Sequence, residues 1–348
     1  MGVTIAQIAE AVGVHASTVS RALNGSATLS DARCQEIKRV AEQLGYRPNL
    51  MAKALQGKRT NTIGIIAPKF TDIYSVALFN EQEALLRELG YMSILTITDF
   101  EQQSEIEAIR GLLDRSVDGL LMNYATRNSE VMEYIKEVVD KRNVIFSIVG
   151  QESGEGVFDT VNVDICKWSQ LLVEHLIEKG HRRIAIIVDA FGSGYDFEKD
   201  TKYIGYRRAL KENGIEFDEK LVFCSHFVHQ DVNELVQRMM SLKDRPTAIC
   251  AYSDELAGGL LGCLNDASYA VPQDVSLVGF NDDWFSGKYA VPLTTCKLPA
   301  DRIAKAAVDA IMTRLNDPLA KPQEIMCESE LVIRSSVKDI NSRGAANE

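Results

Sequence analysis

The sequence has neither paired cysteines nor long apolar runs. Its seven cysteines are odd in number, scattered, and form no C-x-x-C pair, which predicts reduced thiols and a cytoplasmic protein. No apolar run approaches the roughly 20 residues of a membrane span. No basic segment followed by an apolar one opens the chain, so we expect neither secretion nor membrane insertion.

Sequence signatures of enzymes are also missing. No H-E-x-x-H, G-x-S-x-G or Walker-type run occurs, and Gly192–Gly194, which follows a strand-like run, lacks the third glycine of a dinucleotide-binding loop. Among the five histidines, only His226 and His229 have ligand-like spacing, and a metal there would need further ligands that the sequence does not identify. A solvated loop pair is the simpler interpretation. We therefore predict no enzyme, no cofactor and no metal site.

Positive charge is scarce overall but concentrated near the N-terminus. The net charge is -11, yet residues 1–61 hold eight Lys and Arg against four Asp and Glu. A basic head on an acidic body concentrates attraction for phosphate at one end, which favours a nucleic-acid partner for the head. With 348 residues, of which 46% are hydrophobic, the chain should divide into two or three domains.

The first 25 residues predict a helix, a turn and a second helix. Thr4 and Gln7 are spaced as a capping box that starts a helix running to Val12, and Asn24 with the glycine after it is suited to end the second helix. The outward face of the second helix would be small, polar and basic, with His15, Ala16, Ser17, Ser20 and Arg21. Such a face fits the major groove of B-DNA, where an arginine can form two hydrogen bonds to guanine. Many helix pairs carry no DNA, so this motif alone leaves a plain packing role open.

Two further helices are predicted before the body of the chain. The first begins at Ser30 as N-cap and runs to Leu44, with Gly45 as its stop. Its inward face would carry Ile37, Val40, Ala41 and Leu44. The second, Leu50–Gln56, is too short to be stable alone and would form only when docked against something. A flexible basic linker, Gly57–Asn61, follows it.

From Thr62 onwards, strand-like and helical runs alternate. The predicted strands are Ile63–Ala67, Met92–Thr98, Gly119–Met122, Val144–Val149, Ile184–Val188, Leu221–Cys224, Ala248–Ala251 and Val275–Gly279. The predicted helices between them are Leu78–Leu89, Glu105–Leu113, Val131–Val139, Trp168–Lys179, Ile204–Asn213 and Val232–Ser241. This alternation predicts parallel sheets covered by helices on both faces, with ligands at the carboxyl ends of the strands. Because it restarts after about Asp164, we expect two similar halves facing each other across a cleft.

Nine short motifs run in order along almost the whole chain. They are Val3–Ala9 (VTIAQIA), Thr18–Asn24 (TVSRALN), Leu44–Asn49 (LGYRPN), Ala52–Leu55 (AKAL), Thr62–Pro68 (TIGIIAP), Gly180–Ala185 (GHRRIA), Gly205–Leu210 (GYRRAL), Val275–Phe280 (VSLVGF) and Pro292–Thr295 (PLTT). In these motifs and their spacing the chain resembles the lac repressor/galactose repressor family of bacterial transcription regulators. The resemblance covers far more of the chain than the helix-turn-helix motif alone.

The resemblance implies an all-α helix-turn-helix head and an α/β body of two doubly wound parallel-sheet subdomains, like that of periplasmic sugar-binding proteins. The DNA-binding domain would be residues 1–46, the hinge helix and linker 47–61, and the effector-binding and dimerisation domain 62–340. Three crossovers would divide that last domain. Its N-subdomain would hold about 62–161 and 293–322, and its C-subdomain about 162–292 and 323–340, with the final strand near Glu328–Ile333.

The resemblance also implies which residues contact operator DNA: Thr4, His15, Ala16, Ser17, Thr18, Ser20, Arg21, Asn24, Asn49, Lys53 and Leu55. His15 departs from the small hydroxyl residue usual before the second helix, and Lys53 stands where the family usually has arginine. Leu55 occupies the place of the leucine that opens the minor groove, although a packing role in the short helix is the alternative. An apolar wedge of this kind unstacks bases and gains a bent duplex with more protein contact.

By family position, the effector-binding residues would be Tyr74, Asn123, Gln151, Lys202, Phe227, Ser253 and Asn281. Their amide, hydroxyl and ammonium groups suit the hydroxyls of a sugar. The family commonly has Arg at Lys202 and Asp at Asn281. Exchanging Asp for Asn removes an acceptor charge, so we hypothesise an acidic sugar derivative, such as a sugar acid or a sugar phosphate.

The sequence thus predicts a cytoplasmic, homodimeric, DNA-binding transcription regulator, for which we favour a repressor controlled by a small effector and reading a pseudo-palindrome. The alternative is a sugar-binding protein or sugar-modifying enzyme whose head docks on protein. A basic hinge that ends in an apolar wedge argues against that alternative. The sequence leaves open the operator, the effector, the sign of its effect and any oligomer beyond a dimer.

Overall fold

Three short helices form the first unit of the computed structural model. The structure describes residues 3–23, 29–46, 59–68, 70, 73–99, 101–124, 129–142, 144–150, 153–189, 197–225, 232–317 and 319–341. The chain divides into two compact units, Met1–Thr60 and Asn61–Glu348. In the first, the helices are α1 (Ile5–Val12), α2 (Ala16–Leu23) and α3 (Asp31–Gln43).

Local sequence signals start and stop these helices. Both hydrogen bonds of the predicted capping box between Thr4 and Gln7 are present, and Gly13 ends α1 in the left-handed region at φ 69°. Ile8, Val19 and Ile37, one from each helix, are fully buried in a common apolar cluster. These contacts bring α1 and α2 together as the predicted helix-turn-helix.

The end of α3 differs from its prediction. Leu44, which we expected on the inward face, lies after the helix and is 41% exposed. The chain turns at Gly45, at φ 70°, and the Tyr46 amide donates back to the Ala41 carbonyl, so that Tyr46 packs against the cluster instead. Ser30 occupies the N-cap position, but its side chain makes no capping hydrogen bond.

Two parallel sheets form the second unit. The first contains β1 (Thr62–Ala67), β2 (Met92–Ile97), β3 (Gly119–Asn123), β4 (Ile145–Val149), β5 (Asp159–Asn162) and β11 (Glu324–Met326), in the order β11-β5-β4-β3-β1-β2. The second contains β6 (Ile184–Asp189), β7 (Val222–Ser225), β8 (Ala248–Cys250) and β9 (Ser276–Val278), in the order β7-β6-β8-β9. β10 (Thr295–Lys297) and β12 (Glu330–Val332) form an antiparallel pair.

Eight helices of the described part of this unit cover the sheets. They are α4 (Ile73–Glu88), α5 (Gln102–Leu113), α6 (Ser129–Arg142), α7 (Ile165–Glu178), α8 (Thr201–Glu212), α9 (Val232–Met240), α10 (Asp254–Asp266) and α11 (Ala300–Asn316). Every residue of β1 and β3 is buried, as expected for parallel strands covered on both faces. The predicted architecture, a helical head and a doubly wound α/β body, is confirmed. No helix of the described residues is long and apolar enough to span a membrane.

The crossings between the two halves of this unit differ in detail from the prediction. Thr295–Lys297, which we placed in the first half, pairs with β12, and Lys297 bridges to Asn281 just after β9 in the second. β11, placed in the second half, pairs with β5 in the first sheet. The chain therefore returns to the first half after Lys297 and to the second half after Met326. The pairing of β10 with β12 and of β11 with β5 fixes these two crossings.

Candidate functional site

The outward face of α2 carries the polar residues predicted to contact DNA. His15, Ser17 and Arg21 are exposed, whereas Ala16, Thr18 and Ser20 are partly buried. On the opposite side of the helix, Val19 and Ala22 are fully buried. Since positions 17 and 21 are separated by one helical turn, their side chains lie on one face.

His15 starts α2 through its imidazole ring. Its Nδ1 atom accepts a hydrogen bond of 3.4 Å from the Ser17 amide and lies 2.9 Å from the Ser17 hydroxyl oxygen. The imidazole therefore caps the first turn of α2. Its other ring nitrogen forms no hydrogen bond with the residues that the structure describes.

Only one donor of Arg21 is bonded to another residue in the described part of the head. Its Nε donates a hydrogen bond of 3.3 Å to the Ser17 carbonyl, one turn earlier on the exposed face. This contact directs the guanidinium along the helix and leaves the two terminal nitrogens for a ligand. Two such nitrogens match the pair of acceptors on guanine. Thr4 is exposed, but its hydroxyl already belongs to the capping box with Gln7.

Lys202 is held between two aromatic rings at the carboxyl ends of the second sheet. Its Nζ donates a 2.7 Å hydrogen bond to the Tyr252 carbonyl and lies 3.7 Å from the Tyr252 ring centre and 4.2 Å from that of Phe280. Tyr252 follows β8 and Phe280 follows β9. The ammonium group is therefore positioned where open parallel sheets bind ligands.

Two predicted effector residues stand next to these rings in sequence. Ser253 caps α10 by accepting a 3.2 Å hydrogen bond from the Leu256 amide, so its oxygen has a structural partner. Asn281 has a φ of 115°, and Asp282 follows at φ 57°. Positive φ values at two consecutive non-glycine residues store backbone strain, which is typical of functional sites.

In the first half, Tyr74 and Asn123 have internal partners. Tyr74 is 7% exposed, and its hydroxyl accepts a 3.1 Å hydrogen bond from that of Tyr124. The amide of Asn123, at the end of β3, exchanges two 2.9 Å hydrogen bonds with Gln82 of α4. These partners fix both side chains before any ligand arrives.

Helix α8, which carries Lys202, is fixed by close packing on α7. The Ser169 hydroxyl donates a 2.8 Å hydrogen bond to the Lys202 carbonyl. A Cβ atom at Gly205 would collide with the Cys166 carbonyl and would lie 2.8 Å from the Ser169 Cβ. Glycine at this position therefore allows the two backbones to approach, and it sets the depth at which Lys202 enters the site.

The sequence interpretation missed Asp254, the residue that follows Ser253. Its fully buried carboxylate accepts hydrogen bonds from the Ser286 and Thr295 hydroxyls, each 2.6 Å, and from the Asp283 amide at 2.9 Å. Burial raises the pKa of this carboxyl, and the three hydrogen bonds oppose that rise. Asp254 thereby holds the loop that contains Asn281. Its place at an expected strand end was the signal that could have pointed to it.

Several predicted residues lie outside the described residues. They are Asn24, Asn49, Lys53, Leu55, Gln151 and Phe227, together with the histidines at 226 and 229 and the short helix Leu50–Gln56. Their roles stay predictions. Among the residues that the structure does describe, no three metal-ligating side chains come together.

Comparison with known families gives two matches that cover different parts of the chain. Residues 4–49 match the family described as "Bacterial regulatory proteins, lacI family". Residues 173–337 match a "Periplasmic binding protein-like domain". The first contains α1, α2 and α3, and the second contains most of the strands and helices around Lys202.

Similar proteins are transcription regulators. Catabolite control protein A of Staphylococcus xylosus is 31% identical over 285 residues, which cover 81% of this chain and 83% of the relative. The regulator DegA of Bacillus subtilis is 29% identical and covers 98% of this chain and 100% of its own length.

Solved structures share the fold. The lac repressor dimer bound to operator and the anti-inducer ONPF matches with a TM-score of 0.84 at 22% identity, covering 97% of this chain and 100% of its own. A CelR–cellobiose complex matches with a TM-score of 0.67 at 26% identity, covering 96% and 99%.

Proposed function

Because this chain belongs to the lacI family of bacterial regulatory proteins and is a DNA-binding transcription regulator, we propose that it is a homodimeric repressor controlled by a small effector. It acts in the cytoplasm on a pseudo-palindromic operator. Residues 1–46 bind DNA, residues 47–61 form the hinge and linker, and residues 62–340 bind effector and dimerise. The relatives named above are regulators rather than enzymes, which supports a binding function.

The exposed face of α2 supports recognition of the major groove. Ser17 and Arg21 share this face, and His15 lies at its N-terminal end. In a two-fold dimer, two such helices read half-sites about one helical turn apart, so the operator has the symmetry of the protein. Lys53 and Leu55 of the hinge then enter the minor groove between the half-sites, with Leu55 as the wedge.

An acidic sugar or a sugar phosphate is the effector class that fits the cleft. The observation that carries this proposal is the Lys202 ammonium, which two aromatic rings and the Tyr252 carbonyl hold in place. Asn281, which follows Phe280 in the chain, offers neutral amide groups where the resemblance implies that the family commonly has an aspartate. Tyr74, Asn123, Gln151, Phe227 and Ser253 complete the contacts to sugar hydroxyls.

Edge strand β2 supports dimer formation. It lies at the end of its sheet, and Met92 and Ile97 at its two ends are 67% and 41% exposed. Leu89, just before the strand, is 53% exposed. An uncovered edge strand flanked by apolar side chains is a surface that soluble proteins normally cover, and a second copy would cover it.

Selection of genomic DNA fragments by the purified full-length protein, followed by sequencing, tests the function. The selection is run with and without a panel of neutral sugars, uronates and sugar phosphates. We expect one short palindrome whose occupancy changes with one acidic sugar. A failure to enrich any sequence would contradict operator recognition, whereas a response to neutral sugars alone would contradict only the effector class.

A further inference from the structure

A groove with basic walls lies at the C-terminal end of α8, away from the strand ends that carry the predicted effector residues. It has a volume of roughly 630 Å³ and is lined by Arg207, Arg208, Lys211, Glu216 and Phe217, among others. We call it the basic groove. Among its described lining residues three are cationic and one is acidic, on a chain whose net charge is -11. Local positive charge on an acidic protein attracts anions.

Arg207 is fixed in the groove before any ligand binds. Its guanidinium carbon lies 3.9 Å from the ring centre of Phe217, and its Nη1 donates a 3.1 Å hydrogen bond to the Tyr203 hydroxyl. A guanidinium has five N–H donors, so most remain available. A group whose rotamer is already fixed loses little entropy when it binds an anion.

Arg208 and Lys211 supply two more cations, and no described acidic side chain forms an ion pair with either. Both are exposed. Lys211 is four residues from Arg207 and three from Arg208, so the three charges are neighbours on the helix surface. The helix dipole favours one cation in the last turn, but neighbouring like charges destabilise a helix. An anion in the groove would remove that repulsion.

We propose that the basic groove is a second ligand site, specific for a small phosphomonoester. A dianionic phosphate offers several oxygens to converging N–H donors, and guanidinium groups match its geometry. The volume of the groove is that of a small-molecule site. Phe217, Ile215 and Leu210 provide apolar surface for the organic part of the ligand.

Helix α8 connects this site to the cleft. Lys202 lies in its first turn and Lys211 in its last. A ligand that fixes one end of the helix therefore acts on the group at the other end. This coupling between the two sites rests on the proposed function of the cleft, whereas phosphate binding by the basic groove does not.

Calorimetric titration of the full-length protein with phenyl phosphate and inorganic phosphate tests the site. Wild type is compared with the double variant Arg208→Ala/Lys211→Ala. We expect both probes to bind wild type, and the double variant to bind them at least about tenfold more weakly, because each charged hydrogen bond contributes about that factor. Binding should be tighter at pH 7.5 than at pH 5.5, because the second phosphate pKa is about 6.

The matched control is Arg302→Ala/Lys321→Ala, which removes two exposed cations elsewhere and changes the net charge equally. It should bind like wild type. Equal affinity in wild type and the groove variant, or no binding to wild type, would overturn the proposal. If only Lys202→Met loses phosphate binding, the phosphate binds in the cleft and not in the basic groove. Failure of the groove proposal and failure of the cleft proposal therefore give different results.

Discussion

The Lys202 ammonium lies 3.7 Å from the centre of the Tyr252 ring and donates a 2.7 Å hydrogen bond to the carbonyl of the same residue. Both contacts hold a positive charge at the carboxyl end of β8. Tyr252 therefore orients the Lys202 ammonium through both its ring and its carbonyl.

The first prediction concerns that charge. Lys202→Met keeps the apolar stem and removes the ammonium, so we expect at least a tenfold loss of affinity for the acidic sugar found by the panel, since a hydrogen bond to a charged group contributes about 1.5–3 kcal/mol. Calorimetric titration measures it. Lys220→Met, at an exposed position, is the control. Unchanged affinity in Lys202→Met would exclude the ammonium from effector binding.

The second prediction concerns base recognition. Arg21→Ala should cost about 1–3 kcal/mol of specific binding and relax the preference at one base pair in each half-site. Competition binding across operator variants measures both effects. Arg39→Ala, an exposed change on α3, should leave the base preference intact. If Arg21→Ala weakens all sequences equally, Arg21 contacts only phosphate.

The third prediction compares two helical glycines. Gly205→Ala would drive a Cβ atom into the Cys166 carbonyl, whereas a Cβ at Gly262 of α10 would meet no atom within 4 Å. We expect Gly205→Ala to lower the free energy of unfolding by about 1–3 kcal/mol through overpacking. Gly262→Ala should raise it by about 0.4–1 kcal/mol, because alanine is the better helix former. Denaturant unfolding distinguishes the two, and equal effects would refute the close α7–α8 contact.

The fourth prediction concerns pH. Burial lowers the pKa of His175 and of His181 below the usual histidine range, and Lys179 adds to the effect at His175 while Glu178 opposes it. The unfolded chain therefore takes up protons at a higher pH than the folded protein, so stability falls as pH drops below about 6.5. Tm should be lower at pH 5.5 than at pH 7.5.

His175→Gln tests the source of that loss. The buried Nε2 of His175 has no hydrogen-bond partner among the described residues, so a proton there would lack a hydrogen-bond acceptor. The variant removes one of the two titrations and should lose less Tm on acidification than wild type. If His175→Gln loses as much Tm on acidification as wild type, His181 or carboxylates cause the loss.

Much of the fold could be predicted from periodicity and capping. Thr4 and Gln7 form the capping box that their spacing predicts, and each strand expected from β1 to β4 is present within a few residues. β5 was missed because its four residues, Asp159–Asn162, include an acid and an amide and do not form an apolar run. Asp159 is nonetheless fully buried, because it accepts hydrogen bonds from Arg314 and from the Gln323 amide.

The candidate sites were less accessible to sequence reasoning. Outward residues of α2 follow from helical spacing, so His15, Ser17 and Arg21 could be identified. The tertiary partners could not: Gln82 is 41 residues from Asn123, and Tyr252, whose carbonyl accepts from the Lys202 ammonium, is 50 residues from it. Sequence position also gave no indication that the Ser253 hydroxyl would serve as a helix cap.

The order of the strands has a consequence for synthesis on the ribosome. β5 pairs with β11, and α11 contacts β3, β4 and β5, so the first half includes chain made before and after strands β6 to β9 of the second. Since synthesis is N-terminal first, the sheet begun at Thr62 stays incomplete until Met326 has emerged. The C-subdomain strands β6 to β9 are adjacent in the chain and can assemble earlier. Until β11 has been made, the β5 edge therefore stays unpaired and can pair with another chain.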